Sequence, residues 1–73
     1  MKHTPVLAPL VGAVCQFLLD DGCAVAEGDH ILEIEAMKMM FTVEAPAAGV
    51  VRFRCQLGAV VGQDEIVAVI ESE

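Results

Sequence analysis

The sequence has no tryptophan, no tyrosine and only three phenylalanines, so its apolar content is almost wholly aliphatic. It has four lysines and arginines against eleven acids, for a net charge of −7. So few cations cannot neutralise a row of phosphates, which argues against nucleic acid and against an anionic membrane surface. The acidity reads instead as solubility through self-repulsion. The three cysteines, Cys15, Cys23 and Cys55, are odd in number and never spaced Cys-x-x-Cys. Neither a disulfide framework nor a zinc site is indicated, and reduced thiols in a cytosolic protein fit best. His3 and His30 have no ligand partner at metal spacing and read as solvated. No stretch has a helical period. No nucleophile has a neighbouring base, no glycine loop is built to cradle phosphate, and no pair of carboxylates marks a pocket. The chain reads as a non-enzymatic module.

What is present is 56% hydrophobic residues in short runs, punctuated by six glycines and three prolines. At 73 residues this is one small domain over positions 1–73. A chain of that size buries only about 60% of its unfolded surface, so it needs a regular architecture to be stable.

The chain repeats itself. Ala8-Pro9-x-x-Gly12-x-Val14 returns as Ala45-Pro46-x-x-Gly49-x-Val51, Gly22-x-x-Val25 as Gly58-x-x-Val61, and Ile34-Glu35 as Ile70-Glu71. The offset is 37 residues up to Val14 and 36 from Phe17, which matches Phe53. The extra residue near Cys15 and Gln16 predicts a bulge. The apolar run from Pro5 to Leu19 imitates a signal peptide, with Ala24-Val25-Ala26 as its cleavage site. Pro5, Pro9 and Gly12 interrupt it, and its echo in the second half rejects cleavage. Its length and prolines also reject a membrane-spanning helix.

Each half reads as strand, Pro-Gly turn, strand, acidic glycine turn and strand. Val50–Arg54 and Ile66–Ile70 are the β-branched strands of the second half. Turn chemistry marks Asp20–Gly22, Glu27–His30, Pro46–Gly49 and Gly62–Glu65. Short strands at this spacing predict an all-β sandwich or small barrel.

One hexapeptide stands apart, Glu35-Ala36-Met37-Lys38-Met39-Met40, a lone lysine in a soft apolar cluster. Before it, Leu32, Ile34 and Ala36 alternate with Glu33 and Glu35. After it, Phe41 and Val43 alternate with Thr42 and Glu44. With Met37 and Lys38 as a two-residue loop, Ile34 faces Phe41, Leu32 faces Val43 and Glu33 faces Thr42. A slip of one residue would turn one apolar set outward, so the register is strongly specified. Yet such loops favour Asn-Gly or Asp-Gly, because both central residues take positive φ. A residue with a Cβ there costs roughly 1–2 kcal/mol. A turn that local propensity resists is a sign of function. The plainer reading, a solvated lysine with methionine filler, does not explain Met37 at an exposed tip. By the repeat, the position matching Lys38 falls just after Glu73. The two chain ends should therefore meet, Val67–Glu71 pairing with Lys2–Ala8, diagonally opposite the lysine.

With these residues in view, Ala36-Met37-Lys38-Met39 resembles the attachment motif of the biotin carboxyl carrier family, the biotinyl branch of the biotinyl and lipoyl domains. The paired Pro-x-x-Gly and Gly-x-x-Val elements extend the resemblance over nearly the whole chain. Lys38, 35 residues from the end, is placed as in C-terminal biotinyl domains. The resemblance implies a flattened barrel or sandwich of two four-stranded antiparallel sheets about a quasi-twofold axis. It implies covalent biotin on Lys38, added by a biotin protein ligase. It implies a carrier subunit shuttling CO2 between a biotin carboxylase and a carboxyltransferase, of acyl-CoA carboxylase or decarboxylase type. Glu35, Ala36, Met37 and Met39 match the residues associated with ligase recognition. A monomeric cytoplasmic domain completes the expectation.

Met40 stands where the family usually has Glu, and Asp64 where the repeat would place a glycine matching Gly28. The chain has no room for the thumb-like insertion of some bacterial carriers. Three other readings compete. A lipoyl domain shares the fold, but its tip resembles Asp-Lys-Ala. A soft-metal module would use the thioethers of Met37, Met39 and Met40, with the cysteines and histidines too scattered to converge on the tip. A structural sandwich would leave Lys38 inert. Because a solvated amine is protonated at neutral pH, the ligase is expected to supply the base, and the carrier the geometry.

Overall fold

A computed structural model describes all 73 residues. The apolar runs fold as eight strands: β1 (Lys2–Leu7), β2 (Gly12–Phe17), β3 (Ala24–Val25), β4 (His30–Ala36), β5 (Met39–Glu44), β6 (Gly49–Phe53), β7 (Val60–Val61) and β8 (Ile66–Ser72). They form two four-stranded antiparallel sheets, ordered β1-β8-β6-β3 and β5-β4-β2-β7. Of the two expected forms this is the sandwich, since no ladder joins one sheet to the other.

The sequence repeat becomes spatial symmetry here. Displacing each strand of the first sheet by four places along the chain converts β1-β8-β6-β3 into β5-β4-β2-β7. Each sheet thus takes two strands from each half, and neither half can complete a sheet alone. The turns repeat their hydrogen bonds as well. Gly22 N–H donates to Val51 O at 2.8 Å, and Gly58 N–H to Val14 O at 2.7 Å. Ala26 N–H donates to the Asp29 carboxylate and Gly62 N–H to the Glu65 carboxylate, both at 2.9 Å. The acidic glycine turns are therefore built by side chains that satisfy an otherwise free backbone donor.

Reading the residues one by one predicts three strands per half, but there are four. The missed strands, β3 and β7, have only two residues each, too few for an alternation to show. Val25 and Val61 anchor them in the core. His30 and Gly49, expected in loops, begin β4 and β6, and Arg54 falls just past the end of β6.

The bulge expected near Cys15 is present, because Val14 faces Ile34, Gln16 faces Glu33, and Cys15 is the unpaired residue between them. Two further bulges, at Ile31 in β4 and Val67 in β8, obey the twofold relation. Each turns an extra side chain inward, so Ile31 and Leu32, and likewise Val67 and Ala68, are consecutive and fully buried. Between the sheets lies one aliphatic core including Val14, Ile34, Val51 and Ile70. Phe17 and Phe53, which match in the repeat, stack with centroids 4.2 Å apart and pack against that core.

Candidate functional site: the lysine hairpin

The β4–β5 ladder holds the expected register. Leu32 faces Val43, Glu33 faces Thr42, and Ile34 faces Phe41. Glu35 then faces Met40 and Ala36 faces Met39, leaving Met37 and Lys38 as the loop. Met37 has φ 53° and Lys38 φ 64°. Positive φ at both positions is the type I′ geometry that matches the twist of paired strands. The turn is therefore the strained one foreseen, held by the ladder on either side against the preference of its own residues.

Burial grades steeply toward the tip. Ile34 is inaccessible and Ala36 nearly so, whereas Met37 is 92% exposed and Met39 59%. Lys38 is exposed and takes part in no ion pair or side-chain hydrogen bond. The base of the hairpin is set by Gly12, which shows in the sequence only as one glycine of the repeat. A Cβ at Gly12 would lie 2.5 Å from Ile34 Cγ2 and 2.7 Å from Glu35 O. Only glycine lets β2 pack this closely against the strand that carries the tip.

The hairpin also has a direction. Short links join Leu7 to Gly12 and Ala45 to Gly49. Gly12 lies against Ala36, so the Leu7 end of β1 is on the lysine side. Gly49 lies against Glu71, and Ala45 N–H donates to Asp29 O, so the start of β4 is on the side of the chain ends. There Lys2 faces Ser72. Lys38 and the termini thus occupy opposite ends of a molecule 37 Å long and 19 Å across.

The sequence profile of the family described as "Biotin-requiring enzyme" matches residues 4–70. This chain belongs to the biotin-requiring enzyme family. Among relatives, it is 52% identical over 46 residues to the mitochondrial methylcrotonoyl-CoA carboxylase subunit alpha of Oryza sativa subsp. japonica. That match covers 63% of this chain and 6% of the rice subunit. It is 50% identical over 46 residues to the biotin carboxyl carrier protein of acetyl-CoA carboxylase from Solanum lycopersicum, covering 63% of this chain and 66% of the tomato protein. Among solved structures, the Kluyveromyces lactis urea carboxylase superposes with a TM-score of 0.90 at 28% identity, over 97% of this chain and 6% of that one. The chain therefore spans only a small part of the large carboxylases that it resembles.

His3 and His30 are exposed, each near one carboxylate: Nε2 of His3 lies 3.7 Å from Glu71, and Nε2 of His30 lies 3.6 Å from Glu44. All three cysteines are free. No three His, Cys, Asp or Glu side chains converge, and no helix is long and apolar enough to cross a membrane. Asp64 replaces the glycine of the first repeat yet keeps its backbone, with φ 66° against 89° at Gly28. One of the scattered cysteines, Cys15, reaches the methionine cluster, its Sγ 3.7 Å from Met40 Sδ. The bulge exposes Cys15, and its side chain spans β4 to meet Met40 on β5.

Proposed function

We propose that Lys38 is the covalent attachment point of biotin, and that the chain is a carrier rather than an enzyme. The carrying observation is the exposed, unpaired amine on a strained type I′ turn. Lys38 is presented with no neighbour to occlude it, which suits acylation by a biotin protein ligase. In that step the Lys38 Nζ attacks the acyl carbon of biotinyl-adenylate, the amide forms, AMP leaves, and the amine proton passes to a base of the ligase. When bound there, biotin supplies a ureido nitrogen that accepts and yields a carboxyl group. Rigidity comes from Ile34, Phe41 and the glycine contact beneath the tip. Reach comes from the lysine side chain, at the end of the molecule opposite the chain ends.

The partners that fit are a biotin carboxylase and a carboxyltransferase, of acyl-CoA type by likeness to the rice and tomato proteins. Residues 1–73 act as one monomeric domain. Glu35, Ala36, Met37 and Met39 form the surface read by the ligase. Ala36 is nearly buried, so it sets the seat of the turn, whereas the two methionines and Glu35 are open to contact. Unpaired thiols suit a reducing compartment such as the cytoplasm.

The test is avidin capture after incubation with ligase, ATP and biotin. Wild type should be captured. Lys38→Arg should fold normally, because it is exposed, but remain unlabelled, because a guanidinium stays protonated and cannot attack the adenylate. Folded wild type that stays unlabelled, or a labelled Lys38→Arg, refutes the assignment. A mass increase of lipoate in place of biotin would move the chain to the sister branch.

A further inference from the structure

Two unjoined sheets leave four strand edges open: β1 and β3 in one, β5 and β7 in the other. An edge strand carries unpaired N–H and C=O groups, and proteins either blunt such an edge or use it. β3 and β7 are two residues long, too short to template a partner. β1 holds Lys2 and Pro5, both of which blunt an edge. β5 is six residues long and has neither lysine nor proline.

The register sharpens this contrast. A two-residue loop is closed by a hydrogen-bonded pair, here Ala36 and Met39, and bonded and unbonded pairs alternate from there. Ile34–Phe41 and Leu32–Val43 are therefore bonded pairs, whereas Met40, Thr42 and Glu44 turn their N–H and C=O away from β4. The twofold relation carries Thr42 onto Pro5, and Glu33, which faces Thr42, onto Val69, which faces Pro5. Proline removes the outward donor in the middle of the β1 edge, and threonine keeps it in the middle of the β5 edge.

The charge on that face says what the edge takes. Met40, Thr42 and Glu44 share the outer face of the sheet with Glu33 and Glu35 of β4. No strand of this sheet contains a lysine or an arginine. On the other side of β5, Met39 is exposed and Phe41 half-buried. We propose that the free edge of β5 takes up an extended segment of a partner protein, alternating basic and apolar residues, as a fifth strand of the sheet. Its basic side chains lie beside Glu44 and toward Glu33 and Glu35, and its apolar ones beside Met39 and Phe41. A second copy of the chain fits poorly, because pairing β5 with β5 would join two acidic faces of chains that each carry a net charge of −7.

The probe is an end-capped hexapeptide of alternating lysine and valine, titrated into the isotope-labelled chain with amide exchange followed by NMR. Exchange should slow at Met40, Thr42 and Glu44, while Phe41 and Val43, already bonded to β4, should be unchanged. Thr42→Pro copies the β1 edge. It should keep the wild-type melt, because Pro5 occupies the equivalent place in the same fold, and should bind the peptide about tenfold or more weakly, the effect of one lost backbone hydrogen bond. Glu33→Gln/Glu44→Gln alters the charge and leaves the backbone alone. It should weaken binding and flatten its salt dependence. A glutamate–valine peptide, and one with the lysines gathered in a block, should leave the β5 amides exchanging freely. The proposal is overturned if the alternating lysine–valine peptide protects no β5 amide, if folded Thr42→Pro or the double variant binds as tightly as wild type, or if either control peptide protects as well. Protection of the same amides on raising the protein concentration alone overturns it too, and assigns the edge to a second copy. Acylation of Lys38 enters none of these readouts.

Discussion

The two ends of the sandwich are near copies in strand pairing, and they part most plainly in how the paired strands are joined. At one end β4 and β5 are joined by Met37 and Lys38; at the other the equivalent strands β8 and β1 pair from Ile66 to Ser72 with no loop between them. The β1–β8 ladder needs no turn to hold its register. The positive φ values at Met37 and Lys38 are therefore not the only means by which this fold aligns such strands. The two-residue turn does something else. It converts the end of a ladder into a fixed mount for one amine.

If the ends are equivalent beneath the turn, their cores should respond alike. Ile34 and Ile70 are both fully buried, and they are repeat partners. Ile34→Ala and Ile70→Ala should each destabilise by roughly 2–5 kcal/mol, the range for truncating a large buried aliphatic side chain. Denaturant melts of the two variants check this. A loss near zero at Ile34 alone would mean that the lysine hairpin is not seated on the core as its counterpart is.

The next effect concerns the glycines that bring β2 and β6 against those strands. Gly12→Ala drives a Cβ into Ile34 and the Glu35 carbonyl, and Gly49→Ala drives one into Ile70 and the Glu71 carbonyl. Overpacking of this kind typically costs about 1–3 kcal/mol. Gly12→Ala should also disturb amide shifts at Glu35 and Ala36, beneath Lys38. Thermal melts with backbone NMR separate a local shift from general loss. An undisturbed tip in Gly12→Ala would show that the glycine contact does not set the hairpin.

A third prediction isolates the turn. Asparagine tolerates positive φ far better than methionine, so Met37→Asn should raise stability by about 1 kcal/mol. It should also slow biotinylation if the ligase reads the proposed recognition surface, to which Met37, 92% exposed, belongs. Stabilisation without any change in labelling rate would mean that the ligase does not read this position.

Much of this is legible in the sequence. The alternation around Lys38 fixed the pairing of Ile34 with Phe41, because the opposite face would have buried Glu33 and Glu35. The repeat foretold the meeting of the termini and the bulge at Cys15, because one extra residue between matched strands must leave the ladder. Other features had no one-dimensional signature. The two-residue strands β3 and β7 are too short to alternate. By strict alternation Ile31 falls on the face of Glu33 and Glu35, and only the β4 bulge turns it inward beside Leu32. Gly12 reads as a turn residue until the packing shows what a Cβ would strike. The Cys15–Met40 contact spans an intervening strand, and neighbour patterns along a chain do not report next-but-one strands.

The smallest effect lies in a remaining difference between the halves, Cys55 where the repeat has Leu19. Both pack against the edge of the core. Burial pushes the Cys55 thiol above its ordinary value of 9.0, and the negative charge of Glu65 adds to the rise. A raised pKa means that the folded chain holds its proton after the unfolded chain has lost it. The associated stability is complete below the unfolded thiol pKa and is lost as pH rises through the folded one. Wild type should therefore lose stability relative to Cys55→Ala as pH climbs past 9.0, and the two melting curves should stay parallel below that range. The thiol is only partly buried and much of its interaction is screened by solvent, so the divergence should be slight. Glu65→Gln removes one of the two causes and should shrink it further, although it leaves a weaker acceptor for the Gly62 N–H. Curves for wild type and Cys55→Ala that remain parallel into the alkaline range would show that Cys55 is solvated as freely as in the unfolded chain.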